Sequence, residues 1–154
     1  MLLLALIFYL KYEAPEEEQN FVMVMELLRA GDVKEDDDEY VSPLDMLFNR
    51  LETRNPEHIA LKYYRAYHSG SAKTLKSIQV TLAARLEKFN LESMAQLTQT
   101  DELDLPSLGE KKVALFAIIP DNDTSFNFLV SVLYTQLFQQ LFYLADYKLS
   151  LIHI

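Results

Sequence analysis

The stretch Gly70-Ser71-Ala72-Lys73-Thr74 brings together glycine, hydroxyls and an amine, the ingredients of a phosphate-binding loop. Such a loop wraps phosphate in backbone amides and follows Gly-x-x-x-x-Gly-Lys-Ser/Thr. Ala72 stands where Gly must directly precede the Lys, and Tyr67 and His68, where the earlier Gly would fall, are not Gly. No strand is expected before it. The stretch reads instead as a helix cap with a surface lysine. A second group, Asp121, Asp123 and Thr124, follows an apolar run and precedes a long helix. In α/β sheets ligands bind at the carboxyl edge of the strands, so these residues suit a nucleotide-side loop. The plain alternative is a turn, with Asp123 or Thr124 as an N-cap.

Other constellations carry less. His58 and His68 lie ten residues apart without partner spacing, and the third histidine is His153. Asp36-Asp37-Asp38 lacks the turn glycine and closing ligands of an EF-hand. With no Cys, disulfide and thiolate-metal chemistry are excluded. The nine Tyr and nine Phe fall mostly at helical spacing and read as core before they read as base-stacking platforms.

Charge is unevenly placed. Residues 13–45 hold twelve acids against Arg29 and Lys34, and would repel nucleic acid. Residues 50–88 hold eight bases against Glu52, Glu57 and Glu87. Lys62, Arg65, Lys73, Lys76 and Arg85 are the candidates to face a phosphate backbone or an acidic partner. A solvated helix surface is the simpler account of them.

The elements that must position these groups are mostly helices. Three Gly in 154 residues leave little material for hairpins. Pro15 with Glu16, Glu17 and Glu18 suits a first helical turn, and Gly31 a helix end. Lys34 to Glu39 reads as a charged loop. Ser42-Pro43-Leu44-Asp45 reads as N-cap, N1 and capping-box acid. Leu44, Leu47, Phe48 and Leu51 then share a face. A helix restarts at Asn55-Pro56-Glu57, with Ala60, Tyr63, Tyr64 and Tyr67 on one face and Gly70 at its end. Ser71 caps the next helix, whose face is Leu75, Ile78, Leu82, Leu86 and Phe89. A shorter helix over about 91–98 completes the set.

After a loop over 101–111 the character changes. Lys112 to Ile119 is a continuous apolar run and predicts a strand buried on both faces. A helix over about 125–145 is apolar all round and predicts burial. Asn127, Gln136, Gln139 and Gln140 make it costly as a membrane span. One strand cannot make a sheet, so the chain is expected to be a piece of something larger. Met1 to Leu10 is too short to cross a bilayer and lacks the flanks of a signal peptide. It reads as a buried helix. Leu149 to Ile154 corresponds to one reading frame of a transposon-end adapter used in DNA libraries. These residues, His153 among them, are left out of the functional reading.

The chain resembles the middle of conjugative coupling proteins of the TraG/TraD group, which serve type IV secretion. The resemblance rests on Leu2 to Ile7 followed by Tyr12-Glu13-Ala14-Pro15-Glu16-Glu17-Glu18-Gln19-Asn20-Phe21, on Ser42 to Asp45 with Leu47-Phe48, and on Ala72-Lys73-Thr74, Lys76-Ser77-Ile78 and Ala84-Arg85-Leu86. Its most specific part is Lys112 to Asp121, with Asp123, Phe126-Asn127-Phe128 and Tyr134 to Phe138.

The resemblance implies a mainly α chain: a helical, all-alpha inserted domain over 15–98 joined to one strand–helix unit, 99–148, of an incomplete RecA-like α/β P-loop ATPase domain. Residues 1–14 would be a helix of the nucleotide-binding domain. It implies a homo-hexameric, ATP- and Mg-dependent motor on the cytoplasmic face of the bacterial membrane. Its partners would be the relaxase and relaxosome, single-stranded DNA and the secretion-channel proteins. The phosphate loop and the membrane anchor would lie before Met1, and the acidic Mg-binding strand after Lys148. This stretch is therefore expected to hold no ATP site, no catalytic residue and no transmembrane segment. The alternative is a free-standing, acidic helical interaction module.

Overall fold

The computed structural model describes residues 1–34, 40–119, 121 and 124–152, with side chains through Lys148. Glu35 to Glu39, Asp123 and His153, all singled out above, lie outside these residues. The chain is mainly helical, with seven α-helices and no strand among the described residues. It divides into two units, Met1–Thr100 and Asp101–Ile154.

The first unit holds α1 (Leu2–Glu13), α2 (Phe21–Ala30), α3 (Pro43–Arg54), α4 (Ile59–His68), α5 (Ala72–Leu86) and α6 (Glu92–Gln99). Helix α1 packs chiefly on α4 and also on α2. Leu2, Leu6, Leu44, Phe48, Leu51 and Leu61 are the largest fully buried side chains and join α1, α3 and α4 in one core. Phe48 stacks flat on Tyr64, ring centroids 3.8 Å apart, and Phe21 stacks on Phe89 at 4.4 Å. Removing this apolar area from water is the main stabilising term of the unit.

Local chemistry explains most helix starts. Ser42 and Asp45 form the expected capping box: Asp45 N–H donates to Ser42 Oγ at 3.1 Å, and Ser42 N–H donates to Asp45 Oδ2 at 2.8 Å. Ser71 Oγ accepts from Thr74 N–H at 3.4 Å at the head of α5. Two starts differ from expectation. The triple-Glu segment forms a separate 3₁₀ turn, Glu16–Glu18. Helix α2 begins only at Phe21, because Asn20 Oδ1 takes Met23 N–H at 3.1 Å. Likewise α4 begins at Ile59, where His58 Nδ1 accepts from Ala60 N–H at 3.1 Å. Both short polar caps act closer to the apolar run than the upstream prolines do.

Gly31 closes α2 with φ −91°, so left-handed freedom is not its role. A Cβ there would come within 2.6 Å of Leu44 Cδ2. The residue is small because the head of α3 passes close by.

In the second unit a 3₁₀ turn, Leu105–Gly109, packs against α7 (Asn127–Ile152). A Cβ on Gly109 would collide with Leu144 and Leu141. The strand expected over 112–119 is not formed. Residues 113–119 lie outside any helix or turn, and no backbone hydrogen bond joins them to other described residues. A strand exists only through its ladder, and the described residues supply no sister strand. The expected burial is also absent: Phe116 is 85% exposed and Ile118 97%. No described side chain of α7 is buried, and Phe138, Phe142 and Tyr143 face solvent. The sequence is built for cover that the described residues do not provide.

Candidate functional site

The densest polar junction of the first unit gathers on Asp45. Its Oδ2 accepts from the Ser42 backbone and, at 2.6 Å, from the Ser42 hydroxyl. Its Oδ1 accepts from the Tyr64 hydroxyl at 2.5 Å and lies 3.0 Å from His68 Nε2. Tyr64 and His68, one turn apart on α4, thus both reach the head of α3. Burial pushes the Asp45 carboxyl up, but the bonds from Ser42 and Tyr64 and the nearby His68 outweigh it and hold the group below its ordinary value. Burial, with the Asp45 carboxylate next to it, pushes the Tyr64 hydroxyl well up. Tyr67 beside it is raised to about 12, by burial first and then by Asp45.

This junction forms one side of a cleft of about 370 Å³. Asp32 and Lys34 line it from the α2–α3 connection, and Gly70 and Ser71 from the α4–α5 turn. Asp45, with four polar contacts from Ser42, Tyr64 and His68 and a lowered pKa, is a poor general base, since both oxygens are engaged and the proton affinity is reduced. The arrangement fastens two helices together. Among the described residues no three His, Asp or Glu side chains could hold a metal ion.

The predicted basic residues divide into two classes. Arg65 is tied to Glu52, Nη2 to Oε1 at 2.5 Å, and also donates to the Pro56 carbonyl at 3.2 Å. Lys76 is paired with Asp32. Lys62, Lys73 and Arg85 are exposed and make no ion pair with a described residue. The basic segment is thus partly neutralised by the acidic one, with Arg54 on Glu13 as a further pair. Gly70 to Thr74 is a helix head, with Ser71 Oγ also 3.0 Å from Thr74 Oγ1.

In the second unit Asp121 and Thr124 are exposed, and the Thr124 carbonyl accepts from Asn127 N–H at 3.1 Å near the head of α7. Between residues 115–118 and Leu133, Tyr134 and Leu137 lies an apolar groove of about 420 Å³. Asn127–Lys148 of α7, mean hydropathy 1.3, is long and apolar enough to cross a membrane, so the expectation of no such segment is not upheld.

The Asp45 junction escaped the sequence reading. His68 has no metal-site or catalytic spacing to His58, yet Tyr64 and His68 at i and i+4 share one helix face. That spacing, beside a capping-box acid, was the available signal.

A family model described as type IV secretory system, conjugative DNA transfer, matches residues 1–150. The chain belongs to this family. No curated protein and no solved structure matches it. The conjugative-transfer family is the one reached from the Lys112 to Asp121 run and the helix signatures before it.

Proposed function

We propose that this chain is part of a conjugative coupling protein, an ATP-driven DNA translocase that links the relaxosome to a type IV secretion channel. The carrying observation is the family match over residues 1–150. In this reading 15–98 is most of an inserted helical domain that recognises the relaxosome, and 99–148 is a strand and helix of a RecA-like domain. Residues 1–14 belong to that same ATPase domain. The exposed run 113–119 and the uncovered α7 support it, because both would be covered by further strands and helices of a sheet domain. The same exposure speaks against a free-standing interaction module.

The ATP and Mg of the motor have no seat in this stretch on this account. Gly-x-x-x-x-Gly-Lys does not occur in the sequence, whose three glycines are Gly31, Gly70 and Gly109. Asp121, Asp123 and Thr124 are assigned to a loop on the nucleotide side, and Lys62, Lys73 and Arg85 to the surface that meets DNA or relaxosome. Hexamer formation and a place at the cytoplasmic face of the membrane belong to the whole motor.

Expression of the chain in donor cells that carry its parent element tests the reading. The helical unit should compete for the relaxosome and lower transfer frequency severalfold. Replacing Lys62, Lys73 and Arg85 together by Glu should restore it. Undiminished transfer at an excess of the chain would refute the recognition role. ATP turnover by the purified chain would refute the absence of a nucleotide site.

A further inference from the structure

Helix α5 contains no acid and no aromatic residue, in a chain whose formal net charge is −9. Leu75, Gln79 and Leu86 are its buried residues. The opposite face carries Lys73, Ser77, Thr81, Ala84 and Arg85, all exposed. At 3.6 residues per turn these five fall on about a third of the helix circumference. The Ser77 and Thr81 hydroxyls donate to the carbonyls of Lys73 and Ser77, at 3.0 and 2.8 Å, so both side chains lie flat along the helix. The middle of the face is therefore low. Lys73 and Arg85 stand at its two ends, about 18 Å apart along the axis. Neither makes an ion pair with a described residue. Lys76, at the margin, is neutralised by Asp32.

Composition separates the candidate partners of this face. Protein interfaces are enriched in aromatic residues and Met and depleted in Lys, Ser and Ala. Lys, Arg, Ser and Thr are side chains that contact phosphate and sugar. Single strands are held on aromatic platforms where bases stack, and α5 has none. A helix about 10–12 Å across matches the major groove of B-DNA, about 12 Å wide, whose phosphate rims suit bases at the two ends of a low face. Val80 and Ile78 beside it are exposed and suit thymine methyl groups. We propose that the outer face of α5 binds duplex DNA, with Lys73 and Arg85 on phosphates and Ser77, Thr81 and Ala84 against the groove. This rests on the reading of the basic segment as a surface for DNA or relaxosome, and narrows it to duplex DNA at α5.

Fluorescence anisotropy of a short labelled duplex with the full chain tests it. Two phosphate contacts predict that log K falls with log salt at a slope of about −2. Lys73→Gln and Arg85→Gln should each reduce that slope by about 1. Ala84→Glu sets a carboxylate in the middle of the exposed face and should weaken binding about tenfold or more, with helix content by circular dichroism unchanged. Lys11→Glu on α1 removes more positive charge, yet should leave the affinity within about twofold. The single strand of the same sequence should bind severalfold more weakly, and poly-glutamate should not displace the duplex. No binding at low salt, an equally tight single strand, or equal losses in Lys11→Glu and Ala84→Glu would overturn the proposal. Displacement by poly-glutamate would overturn it in favour of an acidic protein partner. Duplex binding by a chain that leaves conjugative transfer undiminished would support this site and count against the recognition role. Lowered transfer by a chain that binds no duplex would do the reverse.

Discussion

Tyr64 and Asp45 meet at 2.5 Å, hydroxyl to carboxylate, although nineteen residues separate them in sequence. The same carboxylate completes the capping box of α3 with its other oxygen. One side chain therefore both starts a helix and holds a second helix against it. Tyr64→Phe removes one bond to a charged acceptor and keeps the Phe48 stack. It should cost about 1.5–3 kcal/mol in urea unfolding, the range for hydrogen bonds to charged groups. Asp45→Ala removes the cap as well and leaves Tyr64 without an acceptor, so it should cost more than Tyr64→Phe. The opposite order would contradict the dual role.

Acid should weaken this junction with a definite sign. The folded-state Asp45 carboxyl titrates below its ordinary value of 3.8, which the unfolded chain retains. Its contribution is therefore complete above the ordinary value and is lost as pH falls through the lower folded-state value. The stability gap between wild type and Asp45→Asn, measured in urea from neutral pH to about pH 3, should narrow as the pH drops. Asp32 is lowered too, by the hydrogen bond from Lys76, but that pair is exposed and screened and should add little. A gap that widens in acid would refute the assignment.

Two phenylalanines should respond in opposite ways to the same truncation. Phe48 is 1% exposed at the centre of the first unit, and Phe48→Ala should cost about 3–5 kcal/mol. Phe116 is 85% exposed, and Phe116→Ala should stay within about 0.5 kcal/mol in the isolated chain at low concentration. Denaturant midpoints of both variants decide this.

Gly31 and Gly70 offer a similar contrast. An added methyl at Gly31 meets Leu44 at 2.6 Å, and Gly31→Ala should cost about 1–3 kcal/mol through displacement of the α3 head. At Gly70 the nearest atom stands at 3.4 Å, and Gly70→Ala should be close to neutral. Thermal melts of the two variants should differ accordingly.

Helix existence in the first unit was legible because caps and apolar spacing are local. Ser42 with Asp45, and Ser71 before α5, announced their helices within four residues. Starts were misplaced where a nearer polar residue captured the first amides, as Asn20 did in place of Pro15. Ile78, placed on the inner face of α5 by periodicity, is 39% exposed, and Gln79 beside it is buried instead and donates to the Gly31 carbonyl. The Asp45, Tyr64 and His68 junction depends on how α3 and α4 pack, which spacing along one helix does not encode. The apolar run at 112–119 was legible as a segment that wants burial on both faces. Its actual exposure was not, because burial is a property of the partner as much as of the run.

The central claim is that this chain is a stretch of a conjugative motor whose sheet covers residues 113–119. Sequencing the DNA that flanks the reading frame in its source tests it most directly. The account predicts an in-frame glycine-rich phosphate loop upstream of Met1 and an apolar strand ending in Asp-Glu downstream of Lys148. A ribosome-binding site before Met1 with a native stop codon after Ile154 would contradict it.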